Sequence, residues 1–291
     1  MAASVAAAMM EPARPATIAS PLRRVATAVV FIPVFVWVVT RAPAWMFPAL
    51  VSAAAVGALS ELYRLFAHAG QPCNGRLGIL LGLALVVSFE IAGGNAAVVP
   101  ALPALVLGVA VAAILTAPVL TGGKPATEGV ALTLLGLLYV SWFLGHALLL
   151  RHLADGAGLV LVLVSVTWVG ETAAYAVGSW LGRHKLVPAI SPGKTVEGAL
   201  AQLVASIVAA VVFGPGWLLP SWTMGFAAGA GAILGVVGQL GDLAESAIKR
   251  SVGVKDAGGL IPGHGGVLDR IDGLLFNVPA LYYYVRLGTG A

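Results

Sequence analysis

Long apolar segments separated by short polar stretches recur along this chain from residue 25 to the C-terminus. A helix of about 20 apolar residues crosses the hydrocarbon core of a bilayer and satisfies its own backbone hydrogen bonds there. The pattern predicts about nine such helices, at residues 25–40, 44–66, 77–93, 98–117, 129–150, 158–181, 197–214, 222–243 and 273–287. The first and last are short for one crossing, so eight crossings is the alternative. The predicted fold class is an all-α polytopic integral membrane protein.

Composition excludes an ordinary soluble globular protein. Hydrophobic residues make up 59% of the 291 positions and charged residues 10%, whereas soluble domains are closer to half and a quarter. Cys73 is the only cysteine, which excludes an intrachain disulfide and a cysteine-based zinc site. The net charge of +4 is interpreted as a sign of membrane orientation and anionic lipid contact, and no nucleic-acid partner is expected.

The basic residues predict the orientation in the membrane. If the N-terminus is cytosolic, only three of the 16 basic residues face the opposite side, namely Arg41, Arg151 and Arg286. Basic residues concentrate in cytosolic segments of membrane proteins. The distribution therefore predicts a cytosolic N-terminus and an odd number of crossings.

The chain divides into three predicted regions. Residues 1–22 are rich in alanine and proline and are expected to form a disordered tail. Residues 23–157 are apolar spans joined by short loops and form an N-terminal transmembrane scaffold. Residues 158–291 hold nearly all the polar groups that could perform chemistry, so the site is expected in this C-terminal transmembrane region.

Residues 246–272 concentrate charge within an apolar protein. Seven formal charges and one histidine lie there, among 16 basic and 12 acidic residues in the whole chain. They are Lys249, Arg250, Lys255, Asp256, His264, Asp269, Arg270 and Asp272. Charges near a bilayer are costly and mark function. Basic side chains bind phosphate, and clustered carboxylates bind a hard cation that bridges to phosphate.

Two more carboxylates are predicted to join this region. Glu171 lies inside the sixth span and Asp242 at the inner end of the eighth, so both can approach Asp269 and Asp272 near the cytosolic side. A divalent metal would neutralise such a group. The alternative is structural: Asp242 caps a helix, Glu245 pairs with Lys249, and Arg270 neutralises its neighbours. We favour the pairing for Glu245 and the metal or substrate role for the aspartates.

A second candidate element is the loop Ser191-Pro-Gly-Lys-Thr-Val-Glu-Gly198 between the sixth and seventh spans. Gly193 allows the backbone to approach an anion, Lys194 supplies charge, and Thr195 supplies a hydroxyl near a helix N-terminus. The first glycine of a P-loop is missing, because residue 188 is proline. A plain loop at the membrane edge is the alternative.

Residues 246–272, SAIKRSVGVKDAGGLIPGHGGVLDRID, closely resemble the C-terminal signature of phosphatidate cytidylyltransferases (CDP-diglyceride synthases). The loop at 191–198 is similar to a second element of that family. The family usually has aspartate before threonine where this chain has Glu171 and Thr172, which makes the metal role of Glu171 less secure. The resemblance implies transfer of a cytidylyl group from CTP to phosphatidate, giving CDP-diacylglycerol and pyrophosphate in phospholipid biosynthesis.

With this resemblance, the candidate residues receive expected roles. The expected metal ligands are Asp242, Asp269, Asp272 and Glu171. The residues expected to contact substrate phosphates are Ser191, Gly193, Lys194, Thr195, Gly265 and Gly266. The expected catalytic residues are Lys249, Arg250, Lys255, Asp256, His264 and Arg270. For His264, turn packing is a close rival to a phosphate or base contact. The expected cofactor is Mg²⁺, and a second, monovalent ion is compatible with it. The resemblance also implies a homodimer in a bacterial inner membrane, with its site facing the cytosol.

Two other functions remain open at this point. A transporter of a phosphorylated substrate could use Glu171 as a coupling group, although no internal repeat is present. A related nucleotidyltransferase acting on an isoprenoid-based phosphate lipid would carry the same motifs. Only substrate competition would distinguish it from an enzyme that acts on phosphatidate.

Overall fold

The computed structural model describes residues 21–94, 101–120, 122, 127–254, 258 and 266–289, with side chains from residue 29 onward. Within the described residues the chain forms nine helices: α1 (Pro21–Thr40), α2 (Met46–His68), α3 (Gly75–Gly94), α4 (Leu102–Leu120), α5 (Thr127–His152), α6 (Gly156–Leu181), α7 (Val196–Leu218), α8 (Met224–Ser251) and α9 (Leu268–Thr289). Each predicted span overlaps one of them. The predicted all-α membrane fold is confirmed, and the tail at residues 1–20 lies outside the described residues.

Seven of these helices, α2 to α8, are long and apolar enough to cross a bilayer. The apolar part of α1 is shorter, at Val29–Thr40, and α9 begins with charged residues. Outward-facing apolar side chains such as Trp180 (90% exposed) and Leu120 (82%) fit contact with lipid tails. The number of crossings and the direction of the chain stay predictions.

Close packing of α7, α8 and α9 brings the C-terminal carboxylates together. A Cβ added at Gly231 of α8 would lie 2.6 Å from the backbone of α7, at Ile207 Cα and Ser206 O. A Cβ added at Gly241, on the α9 side, would lie 2.8 Å from Asp272 O. Small residues let helix backbones approach in a membrane. Glycines on α8 therefore allow that helix to fit between α7 and α9.

The scaffold helices are joined by polar contacts at both ends. At one end, Tyr63 of α2 donates a hydrogen bond to Thr133 O of α5 at 2.8 Å. At the other end, Arg151 of α5 donates to Val39 O of α1 at 3.0 Å, and His152 lies 3.1 Å from Glu90 of α3. These pairs connect α1, α2, α3 and α5, so the N-terminal half is a packed bundle.

One short hairpin departs from the helical pattern. Between α6 and α7, β1 (Lys185–Val187) pairs antiparallel with β2 (Ser191–Thr195). Pro188, Pro192 and Gly193 disfavour helix across this loop. Val196 N–H donates to His184 O at 2.9 Å and closes the base of the hairpin onto α7. The loop is therefore an ordered platform beside the helix ends.

Candidate active site

The hairpin presents Lys194 to α8. Lys194 Nζ lies 2.7 Å from Asp242 Oδ2, and both side chains are partly exposed. Asp242 also accepts a hydrogen bond from Ser246, one turn later on α8, at 3.4 Å. Asp242 lies inside α8, which continues to Ser251, so the alternative in which it caps a helix end is wrong. The pair joins the loop at 191–198 directly to α8.

Lys249 occupies the centre of a second, more buried cluster. Its ammonium pairs with Glu245 on its own helix and donates to Asp269 Oδ1 of α9 at 2.8 Å. The Glu245 side chain is 1% exposed, and the preferred pairing of Glu245 with Lys249 is confirmed. Asp269 also accepts the Gly266 N–H at 2.9 Å. The start of α9 is thus attached to the end of α8 through one lysine.

Asp272 and Glu171 approach each other on the far side of this cluster. A Cβ added at Gly273, next to Asp272, would collide with the Glu171 carboxylate. Glu171 is within electrostatic reach of Asp272 and Asp242 as acids and of Lys194 and Arg270 as bases. Asp272 Oδ1 accepts the N–H of Gly273 at 2.8 Å. Burying like charges side by side favours a bound cation.

No three histidine, cysteine, aspartate or glutamate side chains are grouped as metal ligands in the part of the chain that the structure describes. Asp242 and Asp269 are engaged with lysines instead. The donor chemistry still fits a hard cation, since Glu171, Asp242 and Asp272 offer carboxylate oxygens within mutual electrostatic reach. The metal roles of the four carboxylates stay predictions.

Thr195, which is predicted to contact phosphate, and Arg250, which is predicted to be catalytic, both have structural contacts. Thr195, 4% exposed, caps α7 by accepting the Gly198 N–H at 3.1 Å. Arg250 donates to Ile190 O of the hairpin at 3.2 Å and to Val254 O at 2.8 Å. Both residues hold the hairpin against the helices. The substrate roles of both residues stay predictions.

The other predicted phosphate-binding and catalytic residues differ in accessibility. A Cβ added at Gly193 would meet no atom within 4 Å, so its backbone is open to an approaching anion, and Ser191 nearby is partly buried. Arg270 is exposed on the first turn of α9. The predictions for Lys255, Asp256, His264 and Gly265 lie outside the described residues.

Sequence reasoning missed two residues beside this cluster. Glu61 of α2 is 2% exposed and accepts the Leu268 N–H at 2.9 Å; an acid inside a predicted span was the signal that could have found it. Tyr139 is 5% exposed and lies within electrostatic reach of Glu245, Asp272 and Asp242. It belongs to a π-helical turn of α5, Leu137–Trp142, and the sequence carries no clear signal for that turn.

The fold and the site define a helical membrane protein with paired acids and lysines suited to phosphate chemistry. The model of the cytidylyltransferase family matches residues 22–288, nearly the whole chain. Phosphatidate cytidylyltransferase of Bacillus subtilis (strain 168) is 36% identical over 272 residues, which cover 91% of this chain and 96% of that protein. The chain belongs to the cytidylyltransferase family, and the predicted family is confirmed.

Other relatives match over shorter lengths. Protein YnbB of Escherichia coli (strain K12), whose name states no function, is 42% identical over 158 residues, covering 54% of this chain and 52% of YnbB. Phosphatidate cytidylyltransferase of Staphylococcus haemolyticus (strain JCSC1435) is 38% identical over 170 residues, 58% of this chain and 64% of that protein. The matched part thus spans about half to two thirds of these relatives.

Proposed function

We propose that this protein transfers a cytidylyl group from CTP to phosphatidate, giving CDP-diacylglycerol and pyrophosphate. The observation that carries the proposal is the pairing of Lys194 with Asp242 and of Lys249 with Asp269 where the hairpin, α8 and α9 meet. Two lysines that could bind phosphate lie next to carboxylates that could bind a metal, and this arrangement supports the proposal. The family and its relatives named phosphatidate cytidylyltransferase support the same reaction.

The proposed chemistry needs no nucleophile from the protein. A phosphate monoester has a second pKa of about 6, so its oxygen is already anionic near neutral pH. That oxygen attacks the α-phosphorus of CTP, the bond from the α-phosphorus to the bridging oxygen of the β-phosphate breaks, and pyrophosphate leaves with the electron pair. The main barrier is repulsion between two anions. Positioning and electrostatic stabilisation are therefore the tasks of the site.

The paired lysines suit these tasks. Lys194 and Lys249 are held in place by carboxylates, so little side-chain freedom is lost when phosphate binds. Lys249 is partly buried among helix ends, with a side chain 13% exposed, so solvent screens its charge less than at the surface. Arg270, exposed on the first turn of α9, can add positive potential at the entrance.

The proposed cofactor is Mg²⁺, with a second, monovalent ion as a compatible addition. Glu171, Asp242 and Asp272 would hold the divalent ion, and Asp269 would keep its contact with Lys249 or join them. Bound Mg²⁺ supplies neutralisation of phosphate charge and of the leaving pyrophosphate. The closeness of Glu171 to Gly273 and its two acidic neighbours supports this assignment.

A groove beside α2 supports access by a lipid. Its volume is about 530 Å³ and most of its lining is apolar, with one guanidinium; the lining residues are Ser52, Ala53, Val56, Gly57, Ser60, Arg64 and Leu83. Gly57 lies against Val267, immediately before α9. An apolar wall with one cation suits a phosphate lipid that approaches from the bilayer.

The proposed location is the inner membrane of a bacterium, with the site facing the cytosol, where CTP is available. The distribution of basic residues supports this orientation. A homodimer is proposed only from the family resemblance.

The reaction is tested by pyrophosphate release from detergent-purified protein given CTP, phosphatidate and Mg²⁺. We expect release that requires lipid and is abolished by EDTA. If folded protein releases pyrophosphate only with an isoprenoid phosphate, that lipid is the acceptor instead of phosphatidate. Folded protein inactive with both would contradict the enzyme, and a flux assay in vesicles would then test transport.

A further inference from the structure

Glu61 is a buried acid in the N-terminal scaffold, far in sequence from the signature. It lies on α2, is 2% exposed, and contacts residues about 200 positions later. Burying a carboxylate is costly unless its oxygens are used. Its neighbours therefore indicate what it does.

Those neighbours are Gly258 and Gly266 of the signature and the start of α9. A Cβ added at Gly258 would lie 2.9 Å from Glu61 Oε1, and one added at Gly266 would lie 2.8 Å from Glu61 Cδ. Oε2 accepts the Leu268 N–H at 2.9 Å. The carboxylate thus contacts the chain on both sides of the segment 259–265.

The contact with Leu268 also stabilises the start of α9. The first N–H groups of a helix have no partner within the helix, and a carboxylate there complements the helix dipole. The next residue is Asp269, which accepts from Gly266 N–H and from Lys249. A shift of Leu268 would therefore displace Asp269 and change its contact with Lys249.

We infer that Glu61 is a positioning residue for the phosphate-binding site: Oε2 accepts the Leu268 N–H of the first turn of α9, and the carboxylate packs against Gly258 and Gly266. These contacts set the position of the Asp269–Lys249 pair. This inference rests on the proposed function where activity is the readout. It also gives the N-terminal scaffold a specific task in the site.

The inference is tested first without substrate, by cross-linking α2 to the start of α9. A Cβ added at Gly57 would lie 3.6 Å from Val267 Cβ, a separation that suits a disulfide. In a Cys73→Ser background, the Gly57→Cys and Val267→Cys pair should oxidise rapidly. Glu61→Ala should slow this at least several-fold, while Glu61→Gln, which retains an acceptor oxygen, should leave the rate within about twofold.

The second readout is pyrophosphate release, measured on the same Glu61 variants with Cys73 and the native residues at 57 and 267. We expect Glu61→Ala to lower kcat at least tenfold with KM for CTP within about threefold, because a misplaced group affects the transition state more than substrate capture. Glu61→Gln should keep kcat within about threefold. Glu90→Ala, which removes an acid at the other end of the scaffold, is the control and should change neither readout.

Two results would overturn the inference: Glu61→Ala indistinguishable from the parent in cross-linking and kcat, or Glu61→Gln as impaired as Glu61→Ala. All assays are run well below the melting temperature of each variant, so that global unfolding does not contribute. If the parent protein releases no pyrophosphate, the proposed function fails, whereas the cross-linking rate still decides whether Glu61 anchors α9.

Discussion

Lys249 lies between Glu245 and Asp269 and pairs with both carboxylates. The lysine satisfies one buried acid on its own helix and one on the next helix. Removing one member of a buried pair leaves the other charge uncompensated. The residues of this cluster therefore affect both the geometry of the site and its charge.

We expect Asp269→Asn to lower kcat on the order of 100-fold or more, since the Lys249 charge loses its partner and a candidate metal ligand is neutralised. The amide can still accept the Gly266 N–H, so the protein should fold. Pyrophosphate release and the melting temperature check this. Asp155→Asn, in the turn between α5 and α6, is a matched control that should retain activity. Near-parental kcat in Asp269→Asn would remove Asp269 from the site.

At the element scale, the hairpin and α7 meet at an N-cap. Thr195 accepts the Gly198 N–H, and Thr223 accepts the Phe226 N–H at the start of α8 in the same way. The first cap lies beside Lys194 and the second lies at the other end of the bundle. Comparing substitutions of the two threonines therefore distinguishes an effect on helix stability from an effect on the site.

Replacing either threonine by alanine should cost about 1 kcal/mol of stability. Only Thr195→Ala should also reduce pyrophosphate release, by several-fold, because the cap holds the hairpin that presents Lys194. Melting temperatures and kcat of the two variants are compared directly. Equal activity in both would mean that the cap at Thr195 stabilises α7 without supporting the site.

The glycines of α8 allow a second comparison within one helix. Gly231 lies against the backbone of α7, whereas a Cβ added at Gly225 would meet no atom within 4 Å. Gly231→Ala should destabilise by about 1–3 kcal/mol through overpacking. Gly225→Ala should be neutral or stabilising by up to about 1 kcal/mol. Melting temperatures test the pair, and equal shifts would contradict the close contact between α7 and α8.

At the scale of the whole molecule, the site lies at one end of the bundle. The hairpin follows α6, and α9 begins after the segment that leaves α8, so both motifs gather at the same helix ends. The scaffold contributes Glu61 of α2 and Tyr139 of α5 to this end. The division into an N-terminal scaffold and a C-terminal catalytic region stays a prediction, and residues of both regions lie beside the candidate site.

The proposed orientation places Ser251 on the cytosolic side and Ser221 on the opposite side, at the two ends of α8. In a Cys73→Ser background, a thiol reagent that cannot cross the membrane should label Ser221→Cys in intact spheroplasts. It should label Ser251→Cys only after permeabilisation. The reverse result would invert the topology and contradict a cytosolic site.

The sequence by itself determined the helical membrane fold, the limits of most helices and the family. Those properties depend on local composition and on fixed spacing, such as apolar runs of membrane length and the signature at 246–272. It also indicated that Glu245 pairs with Lys249, because residues four apart share a helix face. The sequence pattern did not predict the hairpin, because its two strands pair over only a few residues.

Only the tertiary structure decided which distant groups meet. Three contacts depend on how the helices pack: Lys194 with Asp242, Glu171 with the start of α9, and Glu61 with Leu268. Close contacts at glycines determine how near the helices approach one another. Helix periodicity specifies the face on which a side chain lies, but it does not specify the partner helix. The candidate residues could therefore be identified from the chain, whereas their arrangement depends on long-range packing.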